Sequence, residues 1–336
     1  MRVLVTGGAG FIGSHFAKRL AAGGESVIVL DKLTYSGNPA NLEGAELEFV
    51  EGDICNPEVV AAAGEGCDAV VNFAAETHVD RSIHGAAEFI ETDVLGTYVL
   101  LGWARETGAR LVQVSTDEVY GDVERGVSSR EDDPLRPSSP YAASKAGGDL
   151  QVLAAVRTYD VDALITRGSN TYGPNQYPEK IIPLFVTNAL DGEPLPLYGD
   201  GRQIRDWLHV EDHCEAVELV LRDGAGGEVY NVGAGEELEN RDLTRMILEL
   251  TGVDQSLVRH VEDRLGHDRR YSLDSSKLRG LGWRPRRTLA DGLPATVAWY
   301  RENRQWWEPI KSGEYRSYYE RQYADRLNRG EPLVPP

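Results

Sequence analysis

A glycine-rich segment near the N-terminus restricts the fold of this chain more than any other stretch. An apolar run at residues 2–6 leads directly into residues 7–13 (Gly-Gly-Ala-Gly-Phe-Ile-Gly), and a helix-forming segment follows. This order predicts a tight turn at which a pyrophosphate can approach the backbone and the amino end of a helix. A second apolar run ends on Asp31, whose carboxylate suits the ribose hydroxyls of adenosine and would repel a 2′-phosphate. The sequence of strand, glycines, helix, strand and acid disfavours the alternative, which is an ordinary glycine-rich turn with a surface aspartate.

The rest of the first half continues this alternation of strands and helices. Apolar runs at residues 47–50, 69–73, 111–114 and 161–166 indicate further strands, each followed by polar residues. We therefore predict an α/β protein with a Rossmann-type, doubly wound parallel sheet. Because ligands of such sheets bind beyond the carboxyl ends of the strands, the polar segments after these runs are candidate site residues.

Prolines interrupt the alternation from about residue 173 onwards. We expect a smaller C-terminal α/β substrate-binding domain to begin there. Residues 203–222, in contrast, resemble a strand and a helix that return to the main sheet. The predicted division therefore assigns 1–172 and about 203–225 to the dinucleotide-binding domain, and 173–202 and about 226–336 to the second domain.

Charge and composition restrict the classes of partner. The 336 residues carry a formal net charge of −19, which argues against nucleic acid and against anionic membrane surfaces. No apolar run approaches the roughly 18 residues of a membrane span, and we expect no signal peptide. The three cysteines show no Cys-x-x-Cys spacing, which indicates free thiols in the cytoplasm. An anionic substrate would need specifically placed arginines to overcome the global negative charge.

A second pattern, directly after the apolar run at 111–114, carries candidate catalytic groups. The adjacent carboxyls of Asp117 and Glu118 would point to opposite faces of a continuing strand, so we expect the strand to end by Thr116. Further along, Tyr141 and Lys145 are four residues apart in a predicted helix and share one face. We expect the ammonium group to lower the pKa of the phenol, which would make it a general base.

Each of these patterns also has an ordinary structural interpretation. Ser115 and Glu118 have the spacing of a helix capping box, and the Tyr-Lys pair could lie on an exposed helix face. His209 and His213 have the spacing of a metal-binding pair, but no third ligand is recognisable, so we predict no metal. No Gly-x-Ser-x-Gly elbow is present, which disfavours a hydrolase.

The segment 86–105 predicts a long helix whose apolar residues cover more than one face. Such a helix is buried on two sides, by the sheet and by a second element. The helix around residues 150–153 is also apolar, and we predict a homodimer through these two helices. The alternative is that the second domain covers the first helix.

Taken together, these motifs resemble the extended short-chain dehydrogenase/reductases and, among them, the family of dTDP-glucose 4,6-dehydratases. The resemblance covers nearly the whole chain. Its most discriminating part is residues 116–118 (Thr-Asp-Glu), because relatives that epimerise or decarboxylate UDP-sugars, and GDP-mannose dehydratases, do not normally pair Asp with Glu there. Further matching segments are 6–13, 33–38, 78–82, 170–174, 178–180, 197–201, 204–210 and 266–268.

The resemblance implies a dehydratase that retains NAD through each catalytic cycle. Tyr141, assisted by Lys145 and Thr116, would take the proton from the C4 hydroxyl of dTDP-glucose while hydride passes from C4 to NAD. Glu118 would then remove the C5 proton, Asp117 would protonate the departing C6 hydroxyl, and hydride would return to C6. Two adjacent carboxyls with different pKa values can supply the base and the acid that this elimination needs.

The glycine pattern and the resemblance also predict which residues contact the cofactor and the substrate. The expected NAD contacts are Gly7, Gly10, Phe11, Ile12, Gly13, Asp31, Lys32, Thr34, Asp53, Ile54, Ala74, Ala75, Tyr141 and Lys145. The expected substrate contacts are His78, Arg81, Thr116, Asn170, Pro196, Tyr198, Arg205, Asn240, Arg264 and His267. Arg205 and Arg264 would supply the local positive charge, although either could instead form a structural ion pair.

Two other functions stay open on the sequence alone. Another NAD-retaining sugar-nucleotide enzyme, a 4-epimerase or a decarboxylase, would share Tyr141 and Lys145 but would have no use for Asp117. A non-catalytic NAD-binding sensor would need neither the Tyr-Lys pair nor the two adjacent carboxyls. The tail after Trp307 suggests no role.

Overall fold

The computed structural model describes residues 1–329 and 331–332. Its strands are β1 (Arg2–Thr6), β2 (Ser26–Asp31), β3 (Glu48–Glu51), β4 (Ala69–Asn72), β5 (Arg110–Thr116), β6 (Ala163–Gly168), β7 (Asn170–Tyr172), β8 (Leu195–Tyr198), β9 (Ile204–His209), β10 (Val229–Val232), β11 (Glu237–Glu239), β12 (Val258–Val261) and β13 (Glu331–Pro332). Its α-helices are α1 (Phe11–Ala22), α2 (Pro57–Ala63), α3 (Val79–His84), α4 (Ala87–Ile90), α5 (Thr97–Thr107), α6 (Pro140–Tyr159), α7 (Ile181–Asp191), α8 (Val210–Asp223), α9 (Asn240–Thr251), α10 (Ser276–Gly280), α11 (Leu289–Glu302), α12 (Arg304–Trp307) and α13 (Glu314–Arg329). Shorter 3₁₀ helices cover Pro39–Leu42, Asp117–Tyr120 and Gln255–Leu257, and a π-helix covers Glu91–Gly96.

Among the described residues, seven strands form one parallel sheet in the order β10-β6-β5-β4-β1-β2-β3. The strand order reverses between β1 and β4, and the carboxyl ends of these strands frame the crevice where ligands of such sheets bind. The predicted Rossmann-type sheet is confirmed.

Helices cover both faces of this sheet because its inner strands are apolar on both sides. In β1, Val3 and Val5 point into a core with α1 and α8, whereas Leu4 points into a second core with α2, α5 and α6. The alternation follows the two-residue period of a strand. The sheet is therefore held rigidly from both sides, and its carboxyl edge is a fixed platform for a site.

A third hydrophobic core lies outside the main sheet. It packs α7, α9 and α11 with residues of the small sheets β11-β9-β7 and β13-β12-β8. Trp307 is completely buried in it, and Tyr323 of α13 is buried there as well. A separate core of this kind supports the predicted second domain, although the proposed domain limits stay a prediction.

Residues 203–222 return to the main sheet only in part. The helix α8 packs on the sheet as predicted, but β9 pairs with β7 and β11 in a separate sheet. The edge next to β6 is occupied by β10, which falls within the segment 226–336. The prediction for the strand was wrong because β10 takes the place beside β6, while β9 pairs with β7 and β11.

A buried ion pair fixes α6 against β6. The Arg167 Nε lies 2.8 Å from Asp149 Oδ2, and both side chains are inaccessible to solvent or nearly so. A second guanidinium nitrogen of Arg167 donates to the Tyr120 hydroxyl at 2.7 Å. Because α6 carries Tyr141 and Lys145, this pair helps to hold the candidate catalytic helix in register with the sheet.

We expect Asp149→Asn to lower the free energy of unfolding by about 3–5 kcal/mol, because it leaves the Arg167 guanidinium buried without its counter-charge. Urea denaturation followed by circular dichroism measures this change. The matched control is Asp132→Asn, which removes an exposed partner of Arg130 and should cost about 0–1 kcal/mol. Equal effects of the two changes would contradict the structural role of the buried pair.

Candidate active site

A cavity of about 360 Å³ lies between the carboxyl edge of the main sheet and the third core. It brings together every residue predicted to contact cofactor or substrate except Arg81. Residues that were not among the predicted contacts also line it, among them Gln176, Glu179, Lys180, Trp207, His213 and Tyr323. One continuous cavity thus contains the glycine segment, the adjacent carboxyls and the Tyr-Lys pair.

The glycine segment forms a close backbone cradle at one end of the cavity. Gly7 adopts a φ of +65°, and a Cβ there would lie 2.5 Å from the backbone nitrogen of Ala74. At Gly13 a Cβ would lie 2.3 Å from the carbonyl oxygen of Gly7. The N-cap of α1 is Gly10, no side chain caps this helix, and its first turn has no acidic residue. The amino end of α1 is therefore free to bind a diphosphate.

Asp31 lies next to this cradle and is buried. Its carboxylate accepts hydrogen bonds from the backbone nitrogens of Ala9 at 2.9 Å and Leu33 at 2.8 Å, which fix its orientation. Burial raises the pKa of this carboxyl above its ordinary value. The cradle and an oriented acid at the end of β2 fit a dinucleotide with free ribose hydroxyls, which is NAD.

The candidate catalytic carboxyls lie on the turn that follows β5. The strand ends at Thr116, and a 3₁₀ helix covers Asp117–Tyr120, as predicted from the two adjacent acids. The cap is Thr116, whose Oγ1 accepts a hydrogen bond from the Glu118 nitrogen at 3.2 Å. The capping box considered for Ser115 and Glu118 is therefore not the one formed. The turn directs both carboxyls towards the cavity.

The Asp117 carboxyl is buried, and one of its oxygens, Oδ2, has no hydrogen-bond partner among the described residues. Burial, together with the neighbouring Glu118 carboxylate, raises its pKa to about 8. The charge of Arg205 opposes this shift without cancelling it. Asp117 is therefore mostly protonated at neutral pH and carries a proton that it can donate into the cavity.

Tyr141 and Lys145 lie on the first turns of α6, which begins after the N-cap Ser139. Lys145 Nζ donates to the carbonyl oxygen of Val114 at 2.9 Å. Burial raises the pKa of the Tyr141 phenol well above its ordinary value, and the carboxylates of Glu118, Asp93 and Asp117 act in the same direction. The predicted lowering of this pKa was wrong, because burial has the largest effect on the phenol and the neighbouring acidic groups act in the same direction.

The opposite wall of the cavity carries polar groups that suit an anionic ligand. The Arg205 guanidinium lies 4.3 Å from the Tyr271 ring centroid and donates to the carbonyl oxygen of Asp268 at 3.0 Å. Arg264 Nη1 lies 3.6 Å from Asp80 Oδ2. Buried atoms here without a hydrogen-bond partner in the described part of the chain include Arg264 Nε, Asn240 Oδ1 and Asn170 Oδ1. Such atoms are satisfied when a polar ligand binds.

Tyr198 and His267 form the end of this wall. Their ring centroids lie 6.0 Å apart in an edge-to-face arrangement, and His267 Nδ1 lies 2.6 Å from Asp263 Oδ1. Burial lowers the pKa of His267 to about 4, so the imidazole is neutral at neutral pH. This neutral, partly aromatic wall suits a nucleobase.

The tail after Trp307 contributes to the same region, which the sequence interpretation did not anticipate. Tyr323 of α13 lines the cavity, and Gln322 Nε2 donates to the Tyr198 hydroxyl at 2.8 Å. The signal was present in the sequence, because Tyr315, Tyr319 and Tyr323 recur every four residues and form one face of a helix.

Arg81 does not line the cavity, contrary to the prediction. Its Nε donates to Glu179 Oε2 at 2.9 Å, and its guanidinium lies 3.6 Å from the Tyr35 ring centroid and 4.2 Å from that of Tyr318. The short helix α3 turns this side chain away from the site, whereas His78 at its N-cap faces the cavity. Arg81 therefore contacts the site only through Glu179.

Within residues 1–329 and 331–332, no cluster of three or more His, Cys, Asp or Glu side chains is arranged to hold a metal ion. His213 makes its protein contact with Thr171, where Nδ1 lies 2.8 Å from Oγ1. The helices of the described chain are too short or too polar to span a membrane.

The sequence model of the NAD dependent epimerase/dehydratase family matches residues 3–233. The chain belongs to this family. Its cofactor is NAD, which the cradle and Asp31 accommodate.

Individual members of the family show closer similarity. The dTDP-glucose 4,6-dehydratase of Streptomyces niveus is 55% identical over 324 residues, which are 93% of this chain and 96% of that protein. A second relative is DesIV, a dTDP-glucose 4,6-dehydratase from Streptomyces venezuelae whose crystal structure has NAD and TYD bound. Its sequence is 57% identical, and its structure matches with a TM-score of 0.90 over 93% of this chain and 100% of the DesIV chain. The UDP-glucose 4-epimerase of Thermus thermophilus, solved in complex with NAD, is 35% identical in sequence. Its structure matches with a TM-score of 0.85 over 90% of this chain and 100% of the epimerase chain.

Proposed function

We propose that this chain is a dTDP-glucose 4,6-dehydratase, which converts dTDP-glucose into dTDP-4-keto-6-deoxyglucose and water. The observation that carries the proposal is Asp117, a buried carboxyl with a raised pKa that lies beside Glu118 in the same cavity as Tyr141 and the dinucleotide cradle. The loss of water from neighbouring carbons needs one acid and one base. The names of the most similar relatives support the same activity.

The residues of the site divide the reaction between them. Tyr141, with Thr116 and Lys145 beside it, takes the proton of the C4 hydroxyl as a phenolate, which the positive charges of Lys145 and of bound NAD would favour in the loaded enzyme. Glu118 removes the proton from C5 once C4 is a ketone, and Asp117 gives its proton to the departing C6 hydroxyl. When bound, NAD supplies the hydride acceptor for C4, the hydride donor for C6 and a positive charge in the same cavity.

The nucleotide part of the substrate would lie along the opposite wall. Arg205 and Arg264 supply charge for the diphosphate, and Arg264 Nε, which has no partner among the described residues, suits a phosphate oxygen. Asn170 and Asn240 add hydrogen-bond acceptors and donors, while Pro196, Tyr198 and His267 flank the base. This placement reconciles an anionic substrate with the net charge of −19.

The test of this function is an NMR time course of the purified protein with dTDP-glucose in D2O and no added NAD. We expect a 4-keto-6-deoxy sugar that carries deuterium at C5, which would demonstrate elimination, retained cofactor and proton abstraction together. Unchanged dTDP-glucose with a folded, NAD-loaded protein would contradict the proposal.

The nearest rival is a 4-epimerase, because solved epimerases of the family share the fold. The same NMR experiment separates the two, since an epimerase inverts C4, keeps the C6 oxygen and exchanges no proton at C5. A non-catalytic NAD sensor would leave the sugar unchanged. The raised pKa of Asp117 favours the dehydratase, because neither rival uses a carboxylic acid next to C6.

We also propose that the protein is a homodimer. The helical segment 87–107 buries Leu100 and Trp103 in the second core but exposes Ile90 and Tyr98, by 56% and 63% of their surfaces. Leu150 on the adjacent α6 is 56% exposed. The helical segment is therefore apolar on two sides, as predicted, and only one of these sides is covered by the sheet. A second copy of the chain could cover the other side.

Replacement of Tyr98 and Leu150 by Lys is expected to convert the dimer into a folded monomer, because two ammonium groups cannot be desolvated in that interface. Sedimentation equilibrium would show the mass fall from twice 37.0 kDa to one copy. The control Leu281→Lys introduces one ammonium group at an exposed leucine elsewhere and should leave the dimer intact. A monomeric unmodified protein would refute the proposal.

A cytoplasmic location is proposed as well. Its support is chemical: Cys55, Cys67 and Cys214 are free thiols, as is usual in a reducing compartment.

A further inference from the structure

His213 is a buried polar residue of the cavity that the proposed chemistry leaves unused. It lies on the first turns of α8, is 2% exposed and lines the cavity. Its ring fills the space above Gly168, where a Cβ would lie 2.6 Å from the imidazole carbon Cε1. Its Nε2 has no hydrogen-bond partner among the described residues. A buried nitrogen of this kind calls for a ligand or a water.

The hydrogen bonds of Thr171 bear on which nitrogen of His213 carries the proton. The Thr171 hydroxyl donates its single hydrogen to the carbonyl oxygen of Ser169 at 3.1 Å. When the hydroxyl makes this bond, His213 Nδ1, which lies 2.8 Å from the same oxygen, is the donor to it. Burial lowers the pKa of His213 to about 4, so the ring holds one proton at neutral pH. In this tautomer Nε2 carries no hydrogen and is a hydrogen-bond acceptor.

The position of His213 indicates which part of a ligand it meets. Gly168 is paired with Thr116 across β5 and β6, so the ring lies one strand from the catalytic turn. The next residue, Cys214, has its Sγ 3.7 Å from the carbonyl oxygen of Ile12 in the cradle. A dinucleotide with its adenosine ribose at Asp31 and its diphosphate at the amino end of α1 would place its nicotinamide in this region.

We propose that His213 Nε2 accepts a hydrogen bond from the carboxamide N–H of the nicotinamide and thereby orients that ring beneath the catalytic turn. His213 is a positioning residue in this role. The contact rests on the NAD site and not on the identity of the sugar substrate. A failed test would therefore leave the proposed dehydratase activity untouched.

The experiment measures dissociation of ligands from the holoenzyme. Protein exchanged into labelled NAD or labelled ADP-ribose is chased with excess unlabelled NAD. In His213→Phe, which keeps a ring but lacks the acceptor, we expect NAD to leave about fivefold to tenfold faster, as for one lost hydrogen bond. ADP-ribose, which has no nicotinamide, should leave at the rate of the unmodified protein, and His213→Gln should recover part of the NAD retention.

A modified cofactor tests the same hydrogen bond in the unmodified protein, so the test does not depend on whether the variant folds. The 3-acetylpyridine analogue of NAD replaces the amide nitrogen by a methyl group, and we expect it to leave the unmodified protein fivefold to tenfold faster than NAD. In His213→Phe the two cofactors should leave at equal rates. Equal rates in the unmodified protein, or equal acceleration of NAD and ADP-ribose in the variant, would overturn the proposal. Those results would mean that His213 binds a water or has a structural role only.

Discussion

An enzyme with Asp117→Asn is expected to oxidise C4 of dTDP-glucose at a nearly normal rate and to lose water about 10²–10⁴-fold more slowly. The amide has the shape of the protonated carboxyl but cannot give a proton to the departing C6 hydroxyl. Tyr141 and Glu118 remain in place, so the first two proton transfers continue. Reduced nicotinamide should accumulate and be visible by its absorbance in single-turnover experiments.

Glu118→Gln is the matched control, because it changes the neighbouring carboxyl to the same amide. Both variants should form the 4-ketone, but only Asp117→Asn should exchange the C5 proton for deuterium in D2O. The unmodified enzyme gives a further check, since Asp117 has a pKa of about 8. As pH rises through that value the acid loses its proton, and kcat/KM should fall on the alkaline side. Normal turnover in Asp117→Asn would show that another group is the acid.

Tyr141→Phe is expected to abolish the reaction one step earlier, with a loss of about 10²–10⁴-fold in C4 oxidation. The phenol is the group placed to take the C4 proton, and without it hydride transfer would leave a protonated ketone. Neither reduced nicotinamide nor deuterium at C5 should form. Single-turnover absorbance and NMR of the same sample measure both quantities.

The control for Tyr141→Phe is the retention of NAD and of substrate. The ring of Tyr141 also lies 6.3 Å from that of Phe89, and Phe preserves this contact, so the melting temperature should change little. A variant that still reduces NAD on addition of dTDP-glucose would contradict the role of Tyr141. A variant that loses NAD would show a structural effect instead of a chemical one.

Local patterns were sufficient to predict most of the site. Glycine spacing, Asp31 and the Tyr-Lys spacing each depend on geometry within a few residues, and a parallel sheet brings the carboxyl ends of its strands to one edge. The resemblance to known dehydratases supplied the more distant residues, such as Asn240 and Arg264. All of these side chains line one cavity.

Local sequence patterns could not predict in which direction particular side chains point. Arg81 belongs to a polar segment that faces the site, yet the turn of α3 places its guanidinium between Tyr35 and Tyr318. Tyr323 reaches the cavity from a tail more than 170 residues after Tyr141. Both outcomes depend on how α13 packs, which no short-range spacing encodes.

The sequence by itself determined strands β1 to β6 of the main sheet, the dinucleotide cradle and the turn that presents the two acids, because backbone conformation and side-chain period are local properties. The tertiary structure alone decided the protonation of the site. Asp117 holds its proton at neutral pH because the fold removes it from water and sets Glu118 beside it. The Tyr141 phenol resists ionisation for the same reason. Charge interactions depend on burial and on distances between remote segments, and both exist only once the chain has folded.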